Sequence, residues 1–162
     1  MTAHQLAYSQ FGYDAVPEWG TVELSPHAYG PGATREESEA IADRVSVIGE
    51  RILLIHELPV QSPFSVDLMF DRIEQLARAW DRFAYVVDLT EAKRPDPETR
   101  AVLKVRVFRL LPRITHVAVA VGDNLLMRAM ARLFAYGMGL PSVGIHATRA
   151  EAIEEARRVM GR

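Results

Sequence analysis

The amino-acid sequence predicts an α/β domain with a mixed β-sheet of about four or five strands. Two observations lead to this prediction. A β-hairpin pattern over 44–57 is followed by segments of helical spacing that alternate with short apolar runs. In addition, 49% of the 162 residues are hydrophobic and 25% are charged, which is typical of one ordinary globular domain. Helices between strands imply parallel crossovers, and the leading hairpin makes the sheet mixed.

The predicted elements alternate regularly after the hairpin. In chain order they are a helix over 33–43, the hairpin over 44–57, a helix over 65–80, a strand over 83–89, a helix over 97–111, a strand over 115–121, a helix over 124–136, a strand over 141–146 and a helix over 148–160. Thr34 and Thr148 are predicted helix caps, because a Glu follows each of them three residues later.

Local signals support the elements between these caps. Two apolar runs on either side of Gly49-Glu50 predict the hairpin. Apolar residues recur on one helical face over 65–80. Pro97 opens the following helix, and Gly139 closes the helix that ends near residue 136.

Residues 1–43 are predicted to form an N-terminal extension, and residues 44–162 the main domain. The first 33 residues are rich in Gly and Pro, which disfavours a long helix or a central strand. We interpret residues 1–43 as an arm with a possible edge strand over 21–24 and a short helix at its end.

Composition excludes several classes of protein. The chain contains no Cys, which excludes disulfides, Cys-ligated zinc, iron–sulfur clusters and thiol catalysis. No apolar run approaches the ~20 residues of a membrane span. The first ten residues lack the basic start and apolar stretch of a signal peptide, so we expect a cytoplasmic protein.

The charge is distributed unevenly along the chain. Residues 1–75 contain 12 acidic and 4 basic side chains, whereas residues 76–162 contain 9 acidic and 15 basic ones. This asymmetry is typical of self-association or of an acidic protein partner. The alternative is that the two halves interleave in one fold and their charges mix on its surface. We expect a homodimer and a protein partner.

Two stretches resemble the STAS domain, the fold of the sporulation anti-sigma-factor antagonist (SpoIIAA-like). The first is Val86-Val-Asp-Leu-Thr-Glu-Ala92, which leads into the helix at Pro97. The second runs through Val117-Ala-Val-Ala-Val-Gly-Asp-Asn124, Met130-Ala-Arg-Leu-Phe-Ala-Tyr-Gly-Met-Gly-Leu-Pro141 and Thr148-Arg-Ala-Glu-Ala-Ile-Glu-Glu-Ala156, and is similar to an uncharacterised bacterial branch. The resemblance spans residues 45–160 and implies a non-enzymatic regulatory domain that binds a protein.

The resemblance also implies that a partner binds near the start of the helix at Pro97. In regulatory members of the family, a phosphorylated Ser at this helix start controls the docking. Asp88 and Asp96 match the two aspartates of the family, but the position of the phosphorylated Ser falls on Pro97 or Glu98. Neither residue accepts a phosphate, and Thr99 is the nearest hydroxyl. The local alternative is ordinary helix-start chemistry, with Asp96 as the cap and Glu98 in the first turn.

The helix over 97–111 carries a basic surface among apolar residues. It is either a core helix whose Arg stems reach solvent or a docking face for an acidic protein. The candidate partner-binding residues are Thr90, Asp96, Glu98, Thr99, Arg100, Lys104 and Arg106. Nucleic acid is not expected, because the sequence pI is ≈ 6.2.

A second set of residues suggests a ligand site. The helix start at Gly122 to Asn124 follows a buried strand and could bind an anion near Arg128, although Asp123 would compete as a cap. Soft side chains such as Met127 and Phe134 indicate core packing, a dimer patch or a pocket for an apolar ligand. The candidate ligand-binding residues are Gly122, Asp123, Asn124, Met127, Arg128 and Phe134.

No arrangement typical of catalysis, metal binding or a cofactor is evident in the sequence. No Gly-x-Ser-x-Gly or phosphate-loop motif occurs. His116 starts one strand and His146 ends another, so parallel strands would place them at opposite ends of the sheet. We expect each His to be a surface or strand-end residue. The predicted function is a non-enzymatic interaction or regulatory module, with a small carrier of apolar or anionic ligands as the alternative.

Overall fold

The computed structural model of the protein describes residues 24–161. Within these residues, one five-stranded mixed sheet is packed between five α-helices. The elements are α1 (Arg35–Ala42), β1 (Val45–Gly49), β2 (Ile52–His56), α2 (Pro63–Leu76), β3 (Phe83–Asp88), α3 (Pro97–Leu110), β4 (Ile114–Ala120), α4 (Leu125–Met138), β5 (Val143–His146) and α5 (Arg149–Met160). Two short 3-10 turns occupy Pro26–Tyr29 and Leu111–Arg113. The predicted α/β class with a mixed sheet is confirmed.

The order of strands in the sheet is the order in the sequence, β1-β2-β3-β4-β5. β1 and β2 form the predicted antiparallel hairpin, and every later strand is parallel to its neighbour. The register pairs His56 with Asp88, Asp88 with Ala120, and Ala120 with His146. The carboxyl ends of four strands therefore meet along one edge, where α/β proteins commonly bind ligands.

Successive residues of each strand point to opposite faces of the sheet. In β4, Ala118 and Ala120 pack beneath α5 with Ala152 and Ala156. Val117, Val119 and the matching residues of the other strands face α2, α3 and α4, and belong to the larger core cluster. One helix thus covers one face, and three helices cover the other.

The helix starts follow the predicted chemistry, with one shift. Thr34 and Thr148 each form a reciprocal capping box with the Glu three residues later. The helix predicted from Ser65 instead begins at Pro63, because Ser62 and Ser65 cap each other reciprocally. It ends at Leu76 rather than near residue 80.

The turn after α2 is held by a distant side chain. The guanidinium of Arg113 donates hydrogen bonds to the carbonyl oxygens of Ala77 (2.5 Å) and Trp80 (2.8 Å). These two carbonyl oxygens accept hydrogen bonds from a distant side chain and not from a further turn of the helix. The apolar periodicity of 65–80 is a local pattern and did not predict this contact.

The described part of the predicted extension packs on the main domain. Ala28 and Ile41 are completely buried, and Leu24 and Tyr29 contact the larger core cluster. The Ser25 hydroxyl donates a 2.5 Å hydrogen bond to Glu37, which ties the chain before the first 3-10 turn to α1. Of the predicted edge strand over 21–24, only Leu24 lies among the described residues, and it is not in a strand.

The last helix is anchored to the sheet by a partly buried carboxylate. Glu155 of α5 lies 2.5 Å from Nε2 of His116 and 2.5 Å from Nε2 of His146. The other ring nitrogen of His116 hydrogen-bonds to Ser142 at 2.8 Å. His116 is only 3% exposed and is the third residue of β4, so the expectation of a surface or strand-end histidine is wrong for this residue. The two histidines do lie towards opposite ends of neighbouring strands, and one carboxylate spans the distance between them.

Gly144 makes room for this carboxylate. It pairs with Ala118 between the two histidines, and a Cβ at this position would overlap the Glu155 carboxyl group. Small side chains on both the sheet and α5 let the helix approach closely enough for the contact.

We expect Gly144→Ala to lower the free energy of unfolding by about 1–3 kcal/mol, because the new methyl group must displace the Glu155 carboxylate. Urea denaturation at neutral pH measures the change. Gly137→Ala is the matched control, since a Cβ there has open space within an α-helix and should raise stability by about 0.5–1 kcal/mol.

A double-mutant cycle identifies the cause. If the overlap with Glu155 is responsible, Gly144→Ala costs clearly less in a Glu155→Ala background. An equal cost in both backgrounds would contradict this account of the glycine.

Candidate functional site

A cavity lies between the sheet and the three helices α2, α3 and α4. Its floor consists of apolar side chains of the strands, including Ile55, Tyr85, Val117 and Val119. The helices supply walls that are almost entirely aliphatic or aromatic. These wall residues are Val66, Met69, Phe70 and Ile73 of α2, Leu103 and Val107 of α3, and Met127, Met130, Ala131, Phe134 and Ala135 of α4.

The volume of the cavity is about 160 Å³. Met130, Ala131 and Phe134 in its wall are only partly buried, so the cavity is partly open and not a sealed void in the core. An apolar cavity of roughly 150 Å³ remains dry and takes up benzene. The cavity therefore has room for one molecule with a body of that size.

One end of the cavity is polar. The loops after β2 and β3 meet there, because the N–H of Lys93 donates a 3.0 Å hydrogen bond to the carbonyl of Pro59. Glu57, Gln61, Lys93 and Arg100 contribute to the lining at this end. The cavity thus combines an apolar body with a cluster of hydrogen-bonding and charged groups.

Two of these polar side chains are buried. Glu57 and Gln61 are each 9% exposed, and one carboxyl oxygen of Glu57 and the amide oxygen of Gln61 have no hydrogen-bond partner among residues 24–161. Leaving a buried polar group unpaired typically costs about 1–3 kcal/mol. A polar group of a bound molecule could satisfy both.

Burial raises the pKa of Glu57 to about 7, although the N–H of Leu58 and the positive charge of Arg44 act in the opposite direction. Burial also raises the pKa of Tyr85, which forms part of the floor. Both groups therefore favour their neutral forms, which suits a water-poor site.

The predicted ligand-binding residues divide into two groups. Met127 and Phe134 line the cavity, whereas Gly122, Asp123, Asn124 and Arg128 lie outside its lining. The remaining four do not form an open anion site, because the Asn124 side chain accepts hydrogen bonds from the backbone N–H groups of Leu126 and Met127. The cap of α4 is therefore Asn124. The sequence had suggested Asp123, and this expectation is wrong.

The predicted partner-binding residues are dispersed. Asp96 caps α3 and accepts a 2.7 Å hydrogen bond from the N–H of Thr99, as the local interpretation anticipated. Glu98 is exposed in the first turn, and Thr90 is exposed in the loop after β3. Thr99 is completely buried, so a kinase cannot reach its hydroxyl in this fold.

The side chains of the three basic candidates on α3 also lie in different surroundings. Arg100 lines the cavity, and Lys104 is exposed. Arg106 contacts three carboxylates of α2, those of Asp67 (3.3 Å), Asp71 (2.6 Å) and Glu74 (3.5 Å). Arg106 therefore joins two helices, and the three basic residues do not form one continuous docking face.

α3 is less buried than its sequence indicated. Apolar residues nearly encircle it, yet only Thr99, Val107 and Leu110 are buried. Val105 is 53% exposed and Phe108 is 68% exposed. The helix is covered on one side only, because no further layer of described residues lies outside it.

Asp88, the first aspartate in the STAS resemblance, lies at the carboxyl edge of the sheet, on the face opposite the cavity. It is 1% exposed and accepts hydrogen bonds from the hydroxyl of Thr90 (2.6 Å) and from Nε of Arg149 (2.6 Å). Burial alone would raise the pKa of Asp88, but the hydrogen bonds from Thr90 and Arg149 outweigh it and lower the pKa. The ionised carboxylate joins β3 to the start of α5.

Sequence reasoning missed the polar end of the cavity. Glu57 and Gln61 were not among the candidates, and Arg100 was assigned to a partner surface. The available signal was the position of Glu57, which directly follows an apolar strand and so lies at the carboxyl edge of the sheet. The contribution of Gln61 depends on how two loops meet, which no local pattern shows.

Two other features, a metal site and a membrane-spanning helix, are not found among the described residues. Among residues 24–161, no group of three or more His, Asp or Glu side chains is arranged to hold a metal ion. No helix in this part of the chain is long and apolar enough to cross a membrane.

Comparison with models of known protein families gives no match for this chain, and comparison with curated proteins gives none either. The STAS resemblance therefore rests on the sequence motifs quoted above.

We expect Glu57→Gln to remove a pH-dependent loss of stability. Glu57 holds its proton up to about pH 7 when folded but releases it near its ordinary pKa when unfolded. Stability from this group is present at low pH and is lost as the pH rises towards 7, by at most about 3 kcal/mol. The variant should therefore be more stable than the natural protein at pH 8, with a smaller difference at pH 4.

Urea denaturation at pH 4, 6 and 8 measures this difference. Glu154→Gln, an exposed change on α5, is the control and should follow the natural protein at each pH. A constant difference between Glu57→Gln and the natural protein across this range would contradict the assignment.

Proposed function

We propose that the protein is a non-enzymatic binding protein whose cavity holds a small molecule with an apolar body. The observation that carries this proposal is the apolar cavity of about 160 Å³ beneath α3 and α4, with unpaired buried oxygens at one end. Well-formed apolar pockets with a few convergent polar groups are the usual form of small-molecule sites.

The chemistry of the lining supports binding without reaction. The ionisable residues of the lining are Glu57, Tyr85, Lys93 and Arg100, and no Ser, Thr, His or Asp lines the cavity among the described residues. Nucleophilic and general acid–base catalysis normally need a nucleophile and a base within hydrogen-bond reach of each other. Among the described residues, the lining contains no Ser–His or His–Asp combination, which is the commonest form of such a pair.

The composition of α4 also supports a ligand site. Met127 is the only residue of this helix classed as buried, while Met130, Ala131 and Phe134 face the cavity only partly covered. Met side chains are flexible and polarisable, so they adapt to ligands of different shape.

Toluene should bind in the cavity and stabilise the protein, by roughly 2.7 kcal/mol when its concentration is a hundred times its Kd. Ala131→Phe should abolish this effect, because the new ring occupies the space between α4 and the floor. Thermal unfolding with and without toluene measures the stabilisation.

The matched control is Leu133→Phe, which also adds a ring to α4 but at a position that is 71% exposed. This variant should respond to toluene as the natural protein does. An equal toluene effect in Ala131→Phe, or none in the natural protein, would contradict binding in this cavity.

A protein-docking function is the second candidate, and the exposed apolar residues of α3 favour it. Val105 and Phe108 lie beside the exposed Lys104 on the outer side of the helix, and Leu133 and Tyr136 are exposed on neighbouring α4. Grouped exposed apolar side chains commonly mark a protein interface. A second copy of this chain is the partner to test first.

If these helices form a homodimer interface, Phe108→Asp should convert a dimer into a monomer, because it places a charge in an apolar contact. Sedimentation velocity over a range of concentrations measures the change. Val60→Asp, at a 51% exposed site in the loop after β2, should leave the dimer intact. A monomeric natural protein, or a dimer insensitive to Phe108→Asp, would contradict this interface.

A further inference from the structure

We propose that the polar end of the cavity binds the carboxylate of a small monocarboxylic acid whose apolar body fills the remaining space. This inference rests on the proposed ligand-binding function and names the class of ligand. It is carried by four side chains that converge at one end of the cavity, Glu57, Gln61, Lys93 and Arg100.

The two buried members of this group need a partner from outside the protein chain. Glu57 and Gln61 are each more than nine-tenths buried, and each has an oxygen without a hydrogen-bond partner among the described residues. A carboxylic acid in its neutral form donates one hydrogen bond, and an amide donates through its NH₂ group after rotation. Neutral Glu57 can therefore donate to a carboxylate from its unpaired oxygen, and Gln61 can do so when its amide is turned so that the NH₂ group takes the place of the unpaired oxygen.

The charges at this end favour an anion over a cation. Arg100 and Lys93 bring two positive charges to the lining, and neither forms a salt bridge within residues 24–161, although Arg100 interacts electrostatically with Asp96 at the start of α3. Arg44 adds a further positive charge near Glu57. Glu57 is the only acidic residue of the lining among residues 24–161. Because burial favours its neutral form, it does not oppose an anion below neutral pH.

The rest of the lining limits the ligand to one polar group. Beyond the four polar residues, the cavity is bounded by aliphatic and aromatic side chains, apart from the single hydroxyl of Tyr85. A second charged group would lie in this apolar region without a partner, which is strongly unfavourable. The volume of about 160 Å³ fits a benzene-sized ring or a short chain.

Three benzene derivatives of similar shape test the selectivity for the head group. Benzoate, benzamide and benzylamine present an anion, a neutral amide and a cation, respectively. Calorimetric titration of the full-length protein at about pH 6, where Glu57 retains its proton, should show benzoate binding at least ~10-fold more tightly than the other two.

The contribution of the positive charges is tested with a double variant, Arg100→Met with Lys93→Met, which keeps side chains of comparable length. We expect the preference for benzoate over benzamide to disappear, while toluene binding persists and shows that the cavity is intact. Arg109→Met, an exposed change on the same helix, is the control and should retain the preference.

The outcomes separate this inference from the proposed function. Equal or tighter binding of benzamide or benzylamine, or a preference for benzoate that survives the double variant, would overturn the carboxylate assignment. If toluene binds under those conditions, the ligand-binding function still stands. If neither toluene nor any of the three derivatives binds, both proposals are wrong.

Discussion

The contact between Glu155 and two histidines is the interaction on which the rest of the structure depends. This carboxylate fixes α5 over β4 and β5, and it reaches both His116 and His146 only because Gly144 leaves the surface of β5 open. The strand residues that alternate with His116 and Gly144 point to the other face, where Val117 and Val143 line the cavity. β4 and β5 thus contact α5 on one face of the sheet and line the cavity on the other face.

The two faces of the sheet are packed in different ways. Beneath α5, alanines and a glycine allow close approach, and polar residues bridge the helix to the strands. Beneath α3 and α4, larger side chains leave a space that the helices do not fill, and both helices keep apolar residues exposed on their outer sides. At the end of this space, one oxygen of the buried Glu57 carboxyl group has no hydrogen-bond partner among the described residues, and such local costs in stability are common at binding sites.

The fold was largely predictable from the sequence, whereas the site was predictable only in part. Apolar alternation and helix caps such as Thr148 are local signals, so the order and type of the elements could be inferred. Met127 and Phe134 were identified because soft side chains on a helix suggest a pocket. Glu57 and Arg100 come together only through tertiary packing. The role of Glu155 was hidden for the same reason, since its partners His146 and His116 lie 9 and 39 residues earlier in the chain.

Native mass spectrometry of the freshly purified full-length protein tests the central claim, that the cavity holds a small molecule, most directly. The account predicts an additional mass of the size of a small organic acid that remains bound in the native protein and is released on denaturation. It also predicts that the natural protein exchanges this mass for added benzoate, whereas the Ala131→Phe variant carries neither. A protein that shows only its own mass and takes up no added ligand would contradict the account.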